Sequence, residues 1–156
     1  MIETDIPGYR KIRIAHLVLD YNGTLACDGQ VIPGVKECLR SLAEAIQIHV
    51  LTADTFGSAA SQLEGVPCKF SVIPVENQDI AKFEYVKELG RGHTACIGNG
   101  RNDRLMLKES VLGIAVILEE GVAAESLFAA DIVFNSIISA LELFANPLRL
   151  TATLRC

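Results

Sequence analysis

The sequence predicts an α/β fold built on a parallel β-sheet. Two observations lead there. Short apolar runs, rich in β-branched residues, alternate with stretches of helical periodicity along most of the chain. Several of the runs end abruptly in polar or glycine-rich residues, Asp20, Thr52 and Gly98-Asn99-Gly100 among them, as strands do where a sheet edge binds ligands. Strands that alternate with short helices are joined by right-handed crossovers, which makes the sheet parallel.

Each element has its own local signal. Residues 1–11 are polar and broken by Pro7-Gly8, which predicts an arm or an edge strand. Residues 14–19 are a short apolar run that delivers Asp20 at its end. Asp28-Gly29 centres a hairpin over residues 25–32, because this pair suits the positive φ angles of a tight turn. Pro33-Gly34 opens a helix with Val35, Cys38, Leu39, Leu42 and Ala43 on one face. A strand over 46–51 runs into Thr52, and Asp54 or Thr55 caps a helix over 56–63. A weaker strand follows over 69–74. The charged amphipathic helix over 78–89 is stopped by Gly90. A strand over 94–97 leads into the turn 98–103 and a short helix over 105–109. A strand at 113–118, a helix at 122–128, a strand at 131–134 and a helix at 137–144 complete the pattern before Asn146-Pro147.

Composition narrows the function. The 156 residues suffice for one domain with a full core, and no linker, repeat or low-complexity segment divides residues 1–156. No apolar run is long enough to span a membrane, and no signal-peptide pattern opens the chain. Five scattered cysteines without Cys-x-x-Cys spacing read as reduced thiols of a cytoplasmic protein. A net charge of −5 without a basic cluster argues against nucleic acid as a partner. His16, His49 and His93 have no recognisable partner in the sequence and read as structural.

The polar residues at the strand ends are ambiguous one at a time. Asp20 suits a turn, Thr52 a helix cap, Lys82 a solvated helix face and Gly98-Asn99-Gly100 a tight turn. Their order is more specific. Asp20-Tyr21-Asn22-Gly23-Thr24-Leu25, then Thr52, Lys82 and Gly98-Asn99-Gly100-Arg101-Asn102-Asp103 together resemble the four motifs of the haloacid dehalogenase superfamily. Residues 96–115 further resemble the hinge segment of the P-type ATPase phosphorylation domain, with Leu107-Lys108 and Gly113-Ile114-Ala115 in place. The resemblance covers residues 14–144 and is nearest to small soluble proteins described as P-type-ATPase-like.

The resemblance implies a three-layer Rossmann-like fold of the haloacid dehalogenase type, with a central parallel sheet, a small β-hairpin flap and no cap domain. It implies a magnesium-dependent phosphohydrolase in which Asp20 attacks phosphorus and becomes an aspartyl-phosphate. Asp20, the Asn22 carbonyl, Asn99 and Asp103 would make up the Mg2+ site, with Asp103 also positioning Lys82 and the other metal ligands. Thr52, Ala53, Gly23 and Lys82 would hold the phosphoryl group, Arg101 would reach the anionic substrate, and Asp54 is a candidate for the rim. Two residues depart from the pattern. Asn22 stands where phosphatases of the superfamily carry an acid/base Asp, and Asn99 replaces an Asp that binds metal. Asn22 cannot exchange a proton near neutral pH, so turnover should be slow. Phosphotransfer or phosphate sensing, or a catalytically silent scaffold, are the alternative readings. The substrate would be a phosphorylated small molecule or macromolecule. The intervals between the motifs hold no cap, so a homo-oligomer that covers the site is expected.

Overall fold

The centre of the fold is β3 (His16–Asp20), which is flanked on both sides by parallel neighbours and is almost wholly buried. The computed structural model describes residues 1–54 and 57–156. Cap residue Thr55 and the expected helix start at Phe56 lie outside the described residues. Around β3 stand β6 (Gln47–Thr52), β7 (Lys69–Val72), β8 (Thr94–Gly98), β9 (Leu112–Val116) and β10 (Ile132–Phe134). They form one parallel sheet in the order β10-β9-β8-β3-β6-β7. Successive side chains point to opposite faces, which divides the core in two. Leu17, Leu19, Ile48, Val50, Ala95 and Ile97 pack with α1 (Val35–Leu42) and α6 (Ile137–Ala145). Val18, Leu51, Cys96 and Ala115 face the other way, toward α3 (Gln78–Leu89) and α4 (Arg104–Glu109). This is the expected three-layer Rossmann-like architecture.

The hairpin of β4 (Ala26–Cys27) and β5 (Gln30–Val31) forms where Asp28-Gly29 predicts it, with φ angles of 50° and 78° at the two turn residues. Helix α2 (Ser58–Gln62) follows β6, and α5 (Ala124–Ala129) follows β9. The N-terminal expectation is corrected. Residues 1–14 are neither an arm nor an edge of the main sheet but a separate antiparallel hairpin, β1 (Ile2–Ile6) and β2 (Arg10–Ile14). Ile14 therefore belongs to β2, and the central strand begins only at His16. A second correction falls at the C-terminus. Asn146-Pro147 does not close the chain's structure, because Pro147 begins α7 (Pro147–Leu154), where its missing N–H costs nothing.

Two of the histidines read as structural find partners in the fold. His16 Nδ1 lies 3.1 Å from His49 Nε2, and His49 Nδ1 lies 3.0 Å from the Tyr85 hydroxyl on α3. Burial first, then the positive charges His16 and Lys69 present, push His49 from 6.5 down to about 4. The unfolded chain therefore binds a proton at His49 between those values that the folded chain refuses. Stability contributed by neutral His49 is present above pH 6.5 and lost as pH falls toward 4. Urea unfolding midpoints should fall across that window in the wild type and fall less steeply in His49→Leu. Parallel curves would remove His49 as the cause.

Candidate active site

Between β3 and β8 the strand order reverses: crossovers from β3 run toward β6 and β7, and those from β8 run toward β9 and β10. At such a point two loops diverge and leave a crevice at the carboxyl ends of the strands. Asp20 ends β3 and Gly98 ends β8, so the crevice is lined by the sequence segments of the first and fourth motifs.

Lys82 reaches this point from α3, four residues into the helix. Its side chain is only 1% exposed, an environment that an ammonium tolerates only when paired. Nζ donates to Asp20 Oδ1 at 2.6 Å and to Asp103 Oδ1 at 2.5 Å. Asp103 sits at the end of a single 3-10 turn, Arg101–Asp103, and its Oδ2 accepts the N–H groups of Asn99 and Gly100, both at 2.9 Å. Gly98 makes this approach possible, since a Cβ there would collide with the Asp103 carboxyl group. Burial alone would lower the Lys82 pKa, but the two carboxylates outweigh it and hold the ammonium protonated. Asp103 is raised, first by burial and then by Asp20, against the opposing pull of Lys82. Two carboxylates and one ammonium leave the cluster one negative charge in excess.

The turn after β3 is shaped by hydrogen bonds to Tyr21 O, which accepts from the N–H groups of Thr24, Leu25 and Ala26. Thr24 Oγ1 lies 3.1 Å from Asp20 Oδ2 and 3.3 Å from Asn99 Oδ1. One hydroxyl proton serves only one of these two acceptors at a time. Asn99 is fixed by donation from Nδ2 to Gly121 O at 3.0 Å. Gly23 has φ 77°, and a Cβ there would run into the Asn99 amide, so two requirements for glycine coincide. Thr52, buried at the end of β6, accepts the Asp54 N–H on Oγ1 at 3.1 Å, and Ala53 is half-buried beside it.

The structure thus gathers Asp20, Thr24, Lys82, Asn99 and Asp103 into one hydrogen-bonded cluster, with Thr52 at the end of the strand next to Asp20. Asn22 is exposed at the mouth. Arg101 is not in the cluster: its guanidinium is exposed and pairs with Glu125 at 2.7 Å. Asp103 has both oxygens engaged within the protein, which suits it to positioning Lys82 better than to direct metal ligation. Asp54 Oδ2 accepts from Ala59 N and Ser58 Oγ and so serves the first turn of α2, but the N-cap position itself falls on Gly57 and not on Asp54. Sequence reasoning overlooked Ser126, whose Oγ donates to Gly100 O and steadies the fourth-motif turn from α5.

The donor set fits a hard divalent cation. It offers oxygen atoms only, the Asp20 carboxylate and the Asn99 amide oxygen, in a cluster with surplus negative charge and one under-supplied acceptor. A different group, Cys27 and Asp28 of the flap with Glu120 of the loop after β9, brings three potential ligand atoms together. Burial and the neighbouring carboxylates push the Cys27 thiol up, away from the thiolate that a soft metal needs.

No family model matches the chain. A cobalt-bound deoxy-D-mannose-octulosonate 8-phosphate phosphatase from Haemophilus influenzae superimposes with a TM-score of 0.72 at 16% identity, covering 92% of this chain and 94% of that one. The fold is that of the haloacid dehalogenase superfamily. A second solved structure of this fold, the 3-deoxy-D-manno-octulosonate 8-phosphate phosphatase of Moraxella catarrhalis with magnesium, phosphate and KDO, matches at a TM-score of 0.67. It is 20% identical and covers 91% of this chain and 94% of its own. The catalytic domain of the CPx-ATPase CopB-B matches at 0.62 and 24% identity, over 74% of this chain and 46% of that one. In sequence, an uncharacterized protein of Methanocaldococcus jannaschii is 41% identical over 83 residues, which is 51% of this chain and 89% of that protein. A second from the same organism is 51% identical over 39 residues, 25% of this chain and 89% of its own length. This haloacid dehalogenase-fold chain belongs to one family with them. Among the described residues, no helix is long and apolar enough to cross a membrane.

Proposed function

We propose that the protein is a magnesium-dependent phosphohydrolase that works through an aspartyl-phosphate on Asp20. The observation that carries this reading is the buried Lys82 ammonium bridging Asp20 and Asp103 at the strand-order reversal. A carboxylate held there by a cation is oriented for attack, and the cation offsets the repulsion between two anions. An Asp20 oxygen forms the new bond to phosphorus as the bond to the leaving oxygen breaks, and the leaving group departs with the electron pair. Thr52 Oγ1 and the amides that follow it would hold the phosphoryl oxygens, with Gly23 allowing close approach of the backbone. Mg2+, held by Asp20, the Asn22 carbonyl and Asn99, would supply further neutralisation of phosphoryl charge. With a neutral amide at Asn99, its affinity should be weaker than in a site with a carboxylate there.

The solved neighbours that act on an octulosonate 8-phosphate support a phosphate ester as the substrate class. Among the described residues, the flap and α1 occupy the interval between Thr24 and Thr52, and α2 and β7 occupy the next, so substrate selection would fall to the rim or to a second copy of the chain.

Acetyl phosphate tests the reading. Intact-mass measurement should detect one phosphoryl adduct on Asp20 in the presence of Mg2+, together with release of inorganic phosphate. Chelation of the metal should remove both. An adduct that persists without phosphate release would favour phosphotransfer or sensing. No adduct and no release would leave the silent scaffold.

A further inference from the structure

The flap is bound to the rest of the molecule by side chains that the four motifs do not include. Gln62, the last residue of α2, uses both ends of its amide on the hairpin. Oε1 accepts the Val31 N–H at 2.7 Å, and Nε2 donates to Gly29 O, also at 2.7 Å. The amide therefore acts as a short third strand on a two-stranded ribbon that would be marginal alone. Gly29 O accepts a second bond, at 3.1 Å, from the hydroxyl of Tyr21, which is fully buried and follows Asp20 directly. On the flap's other flank, Asp28 N donates to Glu120 Oε1 at 2.9 Å, and the next residue, Gly121, holds the Asn99 amide. The first turn of α2 is in turn bonded to Asp54, whose own N–H is bonded to Thr52 Oγ1.

These bonds link the loop of Thr52, α2, the flap, the 118–123 loop and Asn99 around the mouth of the site. Gln62 joins α2 to the flap in that circuit by two bonds of 2.7 Å at once.

We propose that Gln62 is a positioning residue: its amide fixes the flap as a standing wall of the site and, through Gly29 and Tyr21, holds the backbone that presents Asp20. The consequence for the reaction rests on the phosphohydrolase reading above; the brace itself does not. Two variants separate the contributions. Gln62→Leu keeps the approximate volume and removes both bonds, whereas Gln62→Glu keeps the acceptor for Val31 and loses the donor for Gly29.

Hydrogen exchange at the Val31 amide reads the brace directly. It should accelerate about tenfold or more in Gln62→Leu, the size expected for two lost hydrogen bonds, and less in Gln62→Glu. The kcat for acetyl phosphate should fall roughly 10- to 100-fold in Gln62→Leu with KM changed far less, because misplacement of a bound nucleophile acts on the chemical step. The folded population, followed by thermal unfolding, should remain nearly complete at the assay temperature. A flap that merely adds stability would lower the unfolding temperature and leave kcat per folded molecule unchanged, which would overturn the proposal. Unchanged exchange at Val31 would overturn it as well, whether or not the wild type transfers phosphate. Accelerated exchange in a wild-type background inert toward acetyl phosphate would sustain the brace and strike only the phosphohydrolase reading.

Discussion

Lys82→Met should reduce phosphoenzyme formation by about 10³-fold or more and destabilise the protein by about 3–5 kcal/mol at neutral pH. Both effects have one origin. The ammonium is the shared partner of two carboxylates, one 6% exposed and the other fully buried. Removing it leaves Asp20 and Asp103 facing each other without a counter-charge, which is the costly way to break a buried ion pair. The pH dependence follows with a definite sign. Asp103 is already raised by burial and by Asp20, and loss of Lys82 raises it further. A carboxyl group whose folded pKa exceeds its unfolded value penalises the fold above the folded pKa and is relieved as pH falls below it. The variant should therefore regain stability on mild acidification, the reverse of the His49 trend. Because Lys82→Met alone can fail to fold, Lys82→Met with Asp103→Asn is the decisive protein. It removes one positive and one negative charge, should recover much of the stability, and should remain unable to form the adduct. Adduct formation at the wild-type rate in the double variant would show that Lys82 serves the fold alone.

How far the sequence foretold this site depends on the kind of interaction. Helix α3 appears at residues 78–89 as its sequence pattern predicts, and the flap turn falls on Asp28-Gly29, because both obey local rules. Asp20, Thr52 and the turn after Gly98 converge because strand ends in a parallel sheet share one edge, and Lys82 joins them from α3. The N-terminal hairpin had a readable signal too: Ile2, Thr4 and Ile6, then Ile12 and Ile14, alternate with polar residues on either side of Pro7-Gly8. Charge density in that stretch obscured the period of two. The pairing of His49 with His16 and Tyr85, the grip of Gln62 on the flap and the bond from Asp28 N–H to Glu120 left no such trace. They are contacts between elements far apart in sequence, and nothing in a residue's immediate neighbours specifies them. Lys82 shows the limit most clearly. On a helix that also carries Asp79, Glu84, Lys87 and Glu88, a lysine reads as one more solvated charge, yet the fold turns this one inward onto two acids.

Asn22→Asp should raise turnover of alkyl phosphate esters on the order of 10- to 10³-fold, the lower part of what general acid–base catalysis contributes. Asn22 is exposed at the mouth, two residues beyond Asp20, in a turn already fixed by the bonds to Tyr21 O and from Gly23 N to Ala26 O. A carboxylate would enter that turn without displacing a buried contact. On the proposed mechanism, Asn22 would leave an alkoxide to depart without a proton and water to attack the phosphoenzyme without a base. Acyl and aryl phosphates need no proton on departure, so the wild type should form the adduct from acetyl phosphate yet turn alkyl esters over slowly. The substitution should help alkyl esters most, shorten the adduct's lifetime, and tighten magnesium by adding a negative charge beside Asp20. Single-turnover rates on an alkyl and an acyl phosphate, measured side by side, separate these effects. Brisk alkyl hydrolysis by the wild type, unchanged in Asn22→Asp, would mean that another group already carries the proton. Asp54 would be the first to replace, although one of its oxygens is committed to the N-terminus of α2. Asp54→Asn keeps an oxygen for that bond, so a loss of alkyl turnover in that variant would assign the proton to Asp54.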